Sequence, residues 1–175
     1  MLKKFHPPHI YFDQTIYFLT ARIYNGQAVL NTPEKKQILT HNIAKNFNLH
    51  RYKIFAWVIL DNHYHLLLKT FIGRDLSEIM NRIHGQTSFI LNKLDNQAGR
   101  KIFQNYFDRC ARDEKEFWLY FNYIHHNPVK HGYYREQEDV VNYQFSSYRQ
   151  WLDKKGTEWA NSIFTGYPII DFTLE

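Results

Sequence analysis

The chain's 175 residues suffice for one well-packed domain and leave too little for two comfortable ones. Lys and Arg outnumber Asp and Glu by 22 to 17, a formal charge of +5 that suits a polyanionic partner without proving one. The single cysteine, Cys110, excludes an intramolecular disulfide and points to a reducing compartment, and no stretch approaches the roughly 20 apolar residues of a membrane span. Met1 to Pro8 (MLKKFHPP) carries basic residues with no apolar run behind them, so no signal peptide is expected and the chain reads as soluble and cytoplasmic.

Ile16 to Ile23 (IYFLTARI) is β-branched and aromatic enough for a first strand. Thr32 and Pro33 read as the N-cap and first residue of a helix that runs to about Asn48. Tyr52 to Leu60 is a second strand. Asp61-Asn62 is a two-residue turn whose residues both tolerate positive φ, and the chain returns as His63 to Lys69. The next helix keeps Leu76, Ile79, Met80, Ile83, Ile90, Leu91 and Leu94 on one apolar face. A fourth strand falls within Ile102 to Ala111, and Asp113 with Glu116 three residues on starts another helix. That helix is expected to stop near Asn127, because the residue before Pro128 disfavours the α region. From Tyr133 onward the pattern weakens to a polar, aromatic tail. The order predicts an α+β fold, a ferredoxin-like βαββαβ antiparallel sheet with one added C-terminal helix.

His63 and His65 alternate with Tyr64 on a strand, so both imidazoles leave the same face and can share one divalent metal. With 10 histidines in the chain such a pair also arises by chance. A His-x-His-x-Asp-His hydrolase is excluded because Leu66-Leu67-Leu68 follow, and zinc fingers need cysteines that are absent. Any third ligand comes from elsewhere. On the helix from Asp113, Phe117, Tyr120, Phe121 and Ile124 form the apolar stripe, and Tyr123 and Asn127, four apart, border it together. Asn127 can offer an oxygen ligand and Tyr123 a phenolic nucleophile, or Tyr123 is an ordinary boundary residue. His125, His126 and His131 read as solvated cations at the helix end, with His126 as an alternative ligand. Aromatic residues make up 18% of the chain, and the surplus either fills core and rim or stacks on unpaired bases.

Leu60 to Leu68 (LDNHYHLLL) resembles the His-hydrophobic-His strand of single-tyrosine HUH transposases. Tyr123 to Gly132 (YIHHNPVKHG) resembles the catalytic-tyrosine segment of their REP-associated branch, and Tyr106 to Arg109, Arg112 to Glu114 and Phe145 to Ser147 fit that branch too. Asp61 stands where the family usually has proline. The resemblance implies a catalytic unit over residues 16–132, after an extension at 1–15 and before a DNA-contacting tail at 133–175. It implies Tyr123 as nucleophile and a metal, magnesium or manganese, on His63, His65 and Asn127. It further implies cleavage and rejoining of single-stranded DNA near imperfect hairpins through a 5′-phosphotyrosine, by a monomer. Arg82, Lys93, Arg109, Arg112, Lys130, Arg135 and Arg149 are the candidate phosphate contacts. Two rivals stay open: a non-catalytic module that holds single-stranded nucleic acid on an RRM-like sheet, and a small metallohydrolase of another substrate.

Overall fold

The computed structural model describes residues 11–172; the expectation for the first residues, up to residue 10, lies outside them. Four strands, β1 (Ile16–Arg22), β2 (Lys53–Ile59), β3 (His63–Lys69) and β4 (Phe107–Cys110), form one antiparallel sheet in the order β2-β3-β1-β4. Helices α1 (Pro33–Leu49) and α2 (Leu76–Leu94) cross between strands, and α3 (Glu114–Lys130), α4 (Tyr148–Lys155) and α5 (Thr157–Gly166) follow the sheet. This is the ferredoxin-like plan with β1 and β3 central.

Sheet parity sorts the core into two faces. Tyr64 points toward α2, where its hydroxyl lies 2.7 Å from His84 Nε2. His65 points the other way, its ring 5.2 Å from that of Tyr123 on α3. The sheet is therefore covered by α1 and α2 on one face and by α3 on the other. Strand β3, buried on both sides, shows six consecutive buried residues instead of the polar alternation of a half-exposed strand. On the first face the polar groups are paired: Asn42 donates to Thr87 at 3.0 Å and Asn46 to Gln86 at 3.1 Å, which ties α1 to α2.

Helix α1 starts as its residues dictate, with Thr32 accepting from the Lys35 amide and Pro33 in the first turn, where a missing N–H costs nothing. At the start of α3, Asp113 accepts from the Glu116 amide, and Glu116 reaches back to the Arg112 amide. Three expectations on these elements are corrected. The Asp61-Asn62 turn closes its hairpin, Leu60 N donating to His63 O at 2.9 Å, but neither residue has positive φ. Contacts hold it in shape: Asp61 accepts from Lys36 Nζ at 2.6 Å, and its amide donates to the Tyr133 hydroxyl. Helix α3 does not stop at Asn127. Pro128 sits inside its last turn, and the helix ends when Gly132, at φ +73, lets Tyr133 N reach Pro128 O and Gly132 N reach Val129 O. On α2, Ile90 and Leu94 are exposed, and Thr87 takes the buried position.

The segment after α3 is also more ordered than its pattern suggested. Ile59 N donates to Phe145 O and Ser147 N to Trp57 O, so residues 145–147 run along the outer edge of β2. Aromatic anchors seat the two short helices that follow: the Trp151 indole stacks on Trp159 at 5.4 Å and donates to Phe55 O. No helix among the described residues is long and apolar enough to cross a membrane.

Candidate active site

His63 and His65 leave β3 beneath α3, and a neighbour orients each ring. His65 Nδ1 lies 2.8 Å from Thr20 Oγ1, its partner across the β1–β3 register. His63 Nδ1 lies 2.6 Å from Asn62 Oδ1, and the Asn62 amide nitrogen is turned to Gly26 O. Burial, helped by neighbouring His131, pushes His63 down to about 4. Burial also pushes His65 well below the usual range, with His63 beside it adding to the effect. Both rings are thus neutral at pH 7, with one N–H each.

That single proton decides the chemistry of the pocket. An amide oxygen only accepts, so His63 carries its proton on Nδ1, and Nε2 is a lone pair. What faces that lone pair at 3.4 Å is Asn127 Oδ1, another acceptor. Asn127 cannot turn round to donate, because its nitrogen is already bonded to the Tyr123 carbonyl at 2.8 Å. His65 Nε2 is fully buried and has no hydrogen-bond partner among the described residues. The His65 ring lies 5.0 Å from that of His63, and with Nδ1 as donor to Thr20 it offers a further lone pair. Buried acceptors that face one another without a proton are costly, and a cation between them removes the cost. Among the described residues no group of three or more His, Cys, Asp or Glu is arranged to hold a metal. The donor set is therefore two imidazoles and one amide oxygen, which fits a divalent cation.

Tyr123 sits one turn before Asn127 and is 1% exposed. Its ring meets those of His65 and Phe18 edge-on, at 5.2 and 5.8 Å. Lys130 Nζ lies 3.5 Å from its hydroxyl and pairs with Asp171 at 2.6 Å. Phe172 packs over the Tyr123 ring at 5.3 Å and also touches Phe18 and Tyr120. The phenol is thus beside the histidines of its own chain, roofed by residues 171–172.

The other predicted residues divide. His125 is not a solvated cap: it is fully buried against Phe121, its Nε2 is 2.8 Å from Ser147 Oγ, and burial lowers it to about 3. His126 is held by Gln137, away from the pair. His131 caps α3 with its ring 4.7 Å from that of His63. Of the seven basic candidates, Lys130 is at the tyrosine and Arg109 faces the open sheet beside Phe18. Arg82 and Lys93 are on α2, which covers the opposite face, and Arg82 is paired with Glu78. Arg112 is engaged by Glu116, while Arg135 and Arg149 are exposed beyond α3. Sequence reasoning missed Thr20, Asn62, Arg22 and Phe172. Thr20 and Arg22 carried a usable signal, the same two-residue spacing on β1 that His63 and His65 show on β3.

The central strand of this ferredoxin-like sheet thus turns two neutral histidines toward a tyrosine and an asparagine on one helix, and the class to which such a chain belongs is that of the DNA transposases. The family model described as "Transposase IS200 like" matches residues 12–127, well over half of the chain, and the chain belongs to that family. It is 28% identical over 125 residues to the REP-associated tyrosine transposase of Escherichia coli (strain K12), an alignment spanning 70% of this chain and 72% of the relative. Its fold matches a solved structure of a REP-associated tyrosine transposase bound to a REP hairpin, with a TM-score of 0.75 and 22% identity, covering 98% of this chain and 96% of that one.

Proposed function

We propose that this transposase cuts and rejoins single-stranded DNA beside imperfect hairpins, with Tyr123 as nucleophile. The observation that carries the reading is the convergence, within one chain, of the Tyr123 ring, the partnerless His65 Nε2 and the facing acceptors of His63 and Asn127. The hairpin partner is proposed from family membership and from the relative whose structure holds a REP hairpin.

In the reaction, the Tyr123 oxygen attacks the scissile phosphorus, the P–O3′ bond breaks, and the phenol loses its proton while the departing 3′ oxygen gains one. A 5′-phosphotyrosyl link and a free 3′-hydroxyl result, and attack by another 3′-hydroxyl reverses the step and joins strands. Magnesium or manganese held by His63, His65 and Asn127 would supply charge neutralisation at the phosphate. Thr20 and Asn62 fix the ring orientations, and Asn62 Oδ1, able only to accept, keeps the His63 proton on Nδ1 and its Nε2 unprotonated. Lys130, beside the phenol, is placed to meet a phosphate oxygen as Tyr123 attacks. Asn127 ties its side chain to the Tyr123 carbonyl, so ligand and nucleophile keep one register on α3. Because nucleophile and histidines share a chain, the working unit is a monomer. Residues 16–132 form the catalytic unit, and Arg135 and Arg149 beyond it are DNA contacts.

The test is a hairpin oligonucleotide with single-stranded flanks, incubated with magnesium or manganese and run on a denaturing gel. A denaturant-resistant adduct is expected, lost in Tyr123→Phe and on chelation, with DNA binding kept. No adduct on any REP-like hairpin would leave a binding module. Cleavage that survives Tyr123→Phe but not His63→Ala would make the protein a metallohydrolase.

A further inference from the structure

We propose that the open half of the sheet, between β1 and β4, seats the single strand that Tyr123 attacks, with the Phe107 ring as platform for one unpaired base and Arg22 as clamp for an adjoining phosphate. The proposal rests on the function above and adds the place where the substrate lies. Helix α3 packs on β2 and β3, and beside it a cleft opens, lined by Phe18, Thr20, Arg22, Phe107, Arg109 and Phe172. Phe107 pairs with Thr20 in the β1–β4 register, so its side chain leaves the same face as the residue that holds His65. Phe107 is 56% exposed, whereas Phe18 across the cleft is 4% exposed.

A lone exposed phenylalanine is ordinary on a protein surface. Arg22 makes this one informative. It lies opposite His63 in the β1–β3 register, and its guanidinium has no hydrogen-bond or ion-pair partner among the described residues. It lines a second cleft as well, together with Asn62, His63 and His131. Arg22 thus lines both clefts, standing between the exposed ring in one and His63 in the other. The nearby carboxylates are already engaged, Asp171 by Lys130 and Asp108 by the Tyr11 hydroxyl. An aromatic face followed by a spare guanidinium is the chemistry of a stacked base followed by its phosphate, the arrangement that sequence-tolerant single-strand binders use.

The experiment uses the full chain and (dT)12 carrying a single 2-aminopurine, with affinity followed by anisotropy and stacking by 2-aminopurine emission. Phe107→Ala is expected to weaken binding about tenfold and abolish the stacking signal, and Phe107→Trp to restore both. Arg22→Gln is expected to lower the slope of log affinity against log salt by about 0.7, the share of one phosphate on a single strand, and Arg22→Lys to keep it. Thermal melting confirms that the exposed Phe107 variants stay folded. Unchanged affinity and emission in Phe107→Ala, or an unchanged salt slope in Arg22→Gln, would overturn the subsite. If the wild type forms no adduct on any hairpin while Phe107-dependent stacking persists, the transposition chemistry fails and the subsite stands.

Discussion

The two faces of the sheet obey different rules. On the face under α1 and α2, the described polar groups answer one another: Asn42 with Thr87, Asn46 with Gln86, Tyr64 with His84. On the face under α3, among the described residues, His65 Nε2 has no partner, His63 and Asn127 present acceptor to acceptor, and Arg22 has no counter-charge. One sheet, with the same strands, supports both. Stability alone explains the first face. The second spends stability to keep lone pairs and a cation available, which is the mark of a working site.

The largest expected effect tests that contrast directly. The double change His65→Leu with Thr20→Val removes the unsatisfied nitrogen together with the hydroxyl that would lose its partner, so with chelator present it should raise stability by about 1 kcal/mol. The same change should abolish adduct formation. Calorimetry and the adduct gel read the two sides, and a loss of stability together with retained activity would break the distinction. Acid comes next. His84 is half-buried, and desolvation beneath α2 lowers it to about 4, so on acidification the unfolded chain takes up that proton first. Its contribution is fully present above pH 6.5 and lost as the pH falls from 6.5 toward 4, on the order of 3 kcal/mol across the window. Denaturant titrations at several pH values check this, and His84→Gln should flatten the slope by one proton's share. Thr20→Val should then weaken manganese binding roughly tenfold by freeing the His65 ring, and lower stability by about 1 kcal/mol because the buried Nδ1 loses its partner. Isothermal titration measures the first and thermal melting the second. Smallest is Thr32→Ala, which strips the N-cap from α1 on the satisfied face. A cost of about 1 kcal/mol in stability is expected, with adduct yield unaltered.

Much of this was legible in the residues. Thr32-Pro33, the apolar face from Leu76 and the His63 to Lys69 strand placed three elements nearly to the residue, because caps and periodicity are local signals. The end of α3 was not, since the rule for a residue before proline weighs only local sterics. Pro128 falls in a last turn already held against the sheet, and Gly132 was the true stop. His125 looked like a solvated cap, yet it lies four residues after Phe121 and continues the buried ladder from Phe117. The pairing of residues 145–147 with β2 depends on distant partners that no local pattern encodes. At the candidate site the chemistry-bearing types, His63, His65, Tyr123 and Asn127, stood out by motif. Thr20 and Arg22 did not, because their meaning comes from the register of β1 against β3.

The central claim is that Tyr123 forms the covalent bond to DNA. It is tested most directly by trapping the adduct on a hairpin oligonucleotide, digesting the protein and locating the nucleotide by mass spectrometry. The expected result is a 5′-phosphate on the peptide containing Tyr123, with no modified peptide from Tyr123→Phe. A nucleotide on any other tyrosine, such as the neighbouring Tyr120, would contradict it.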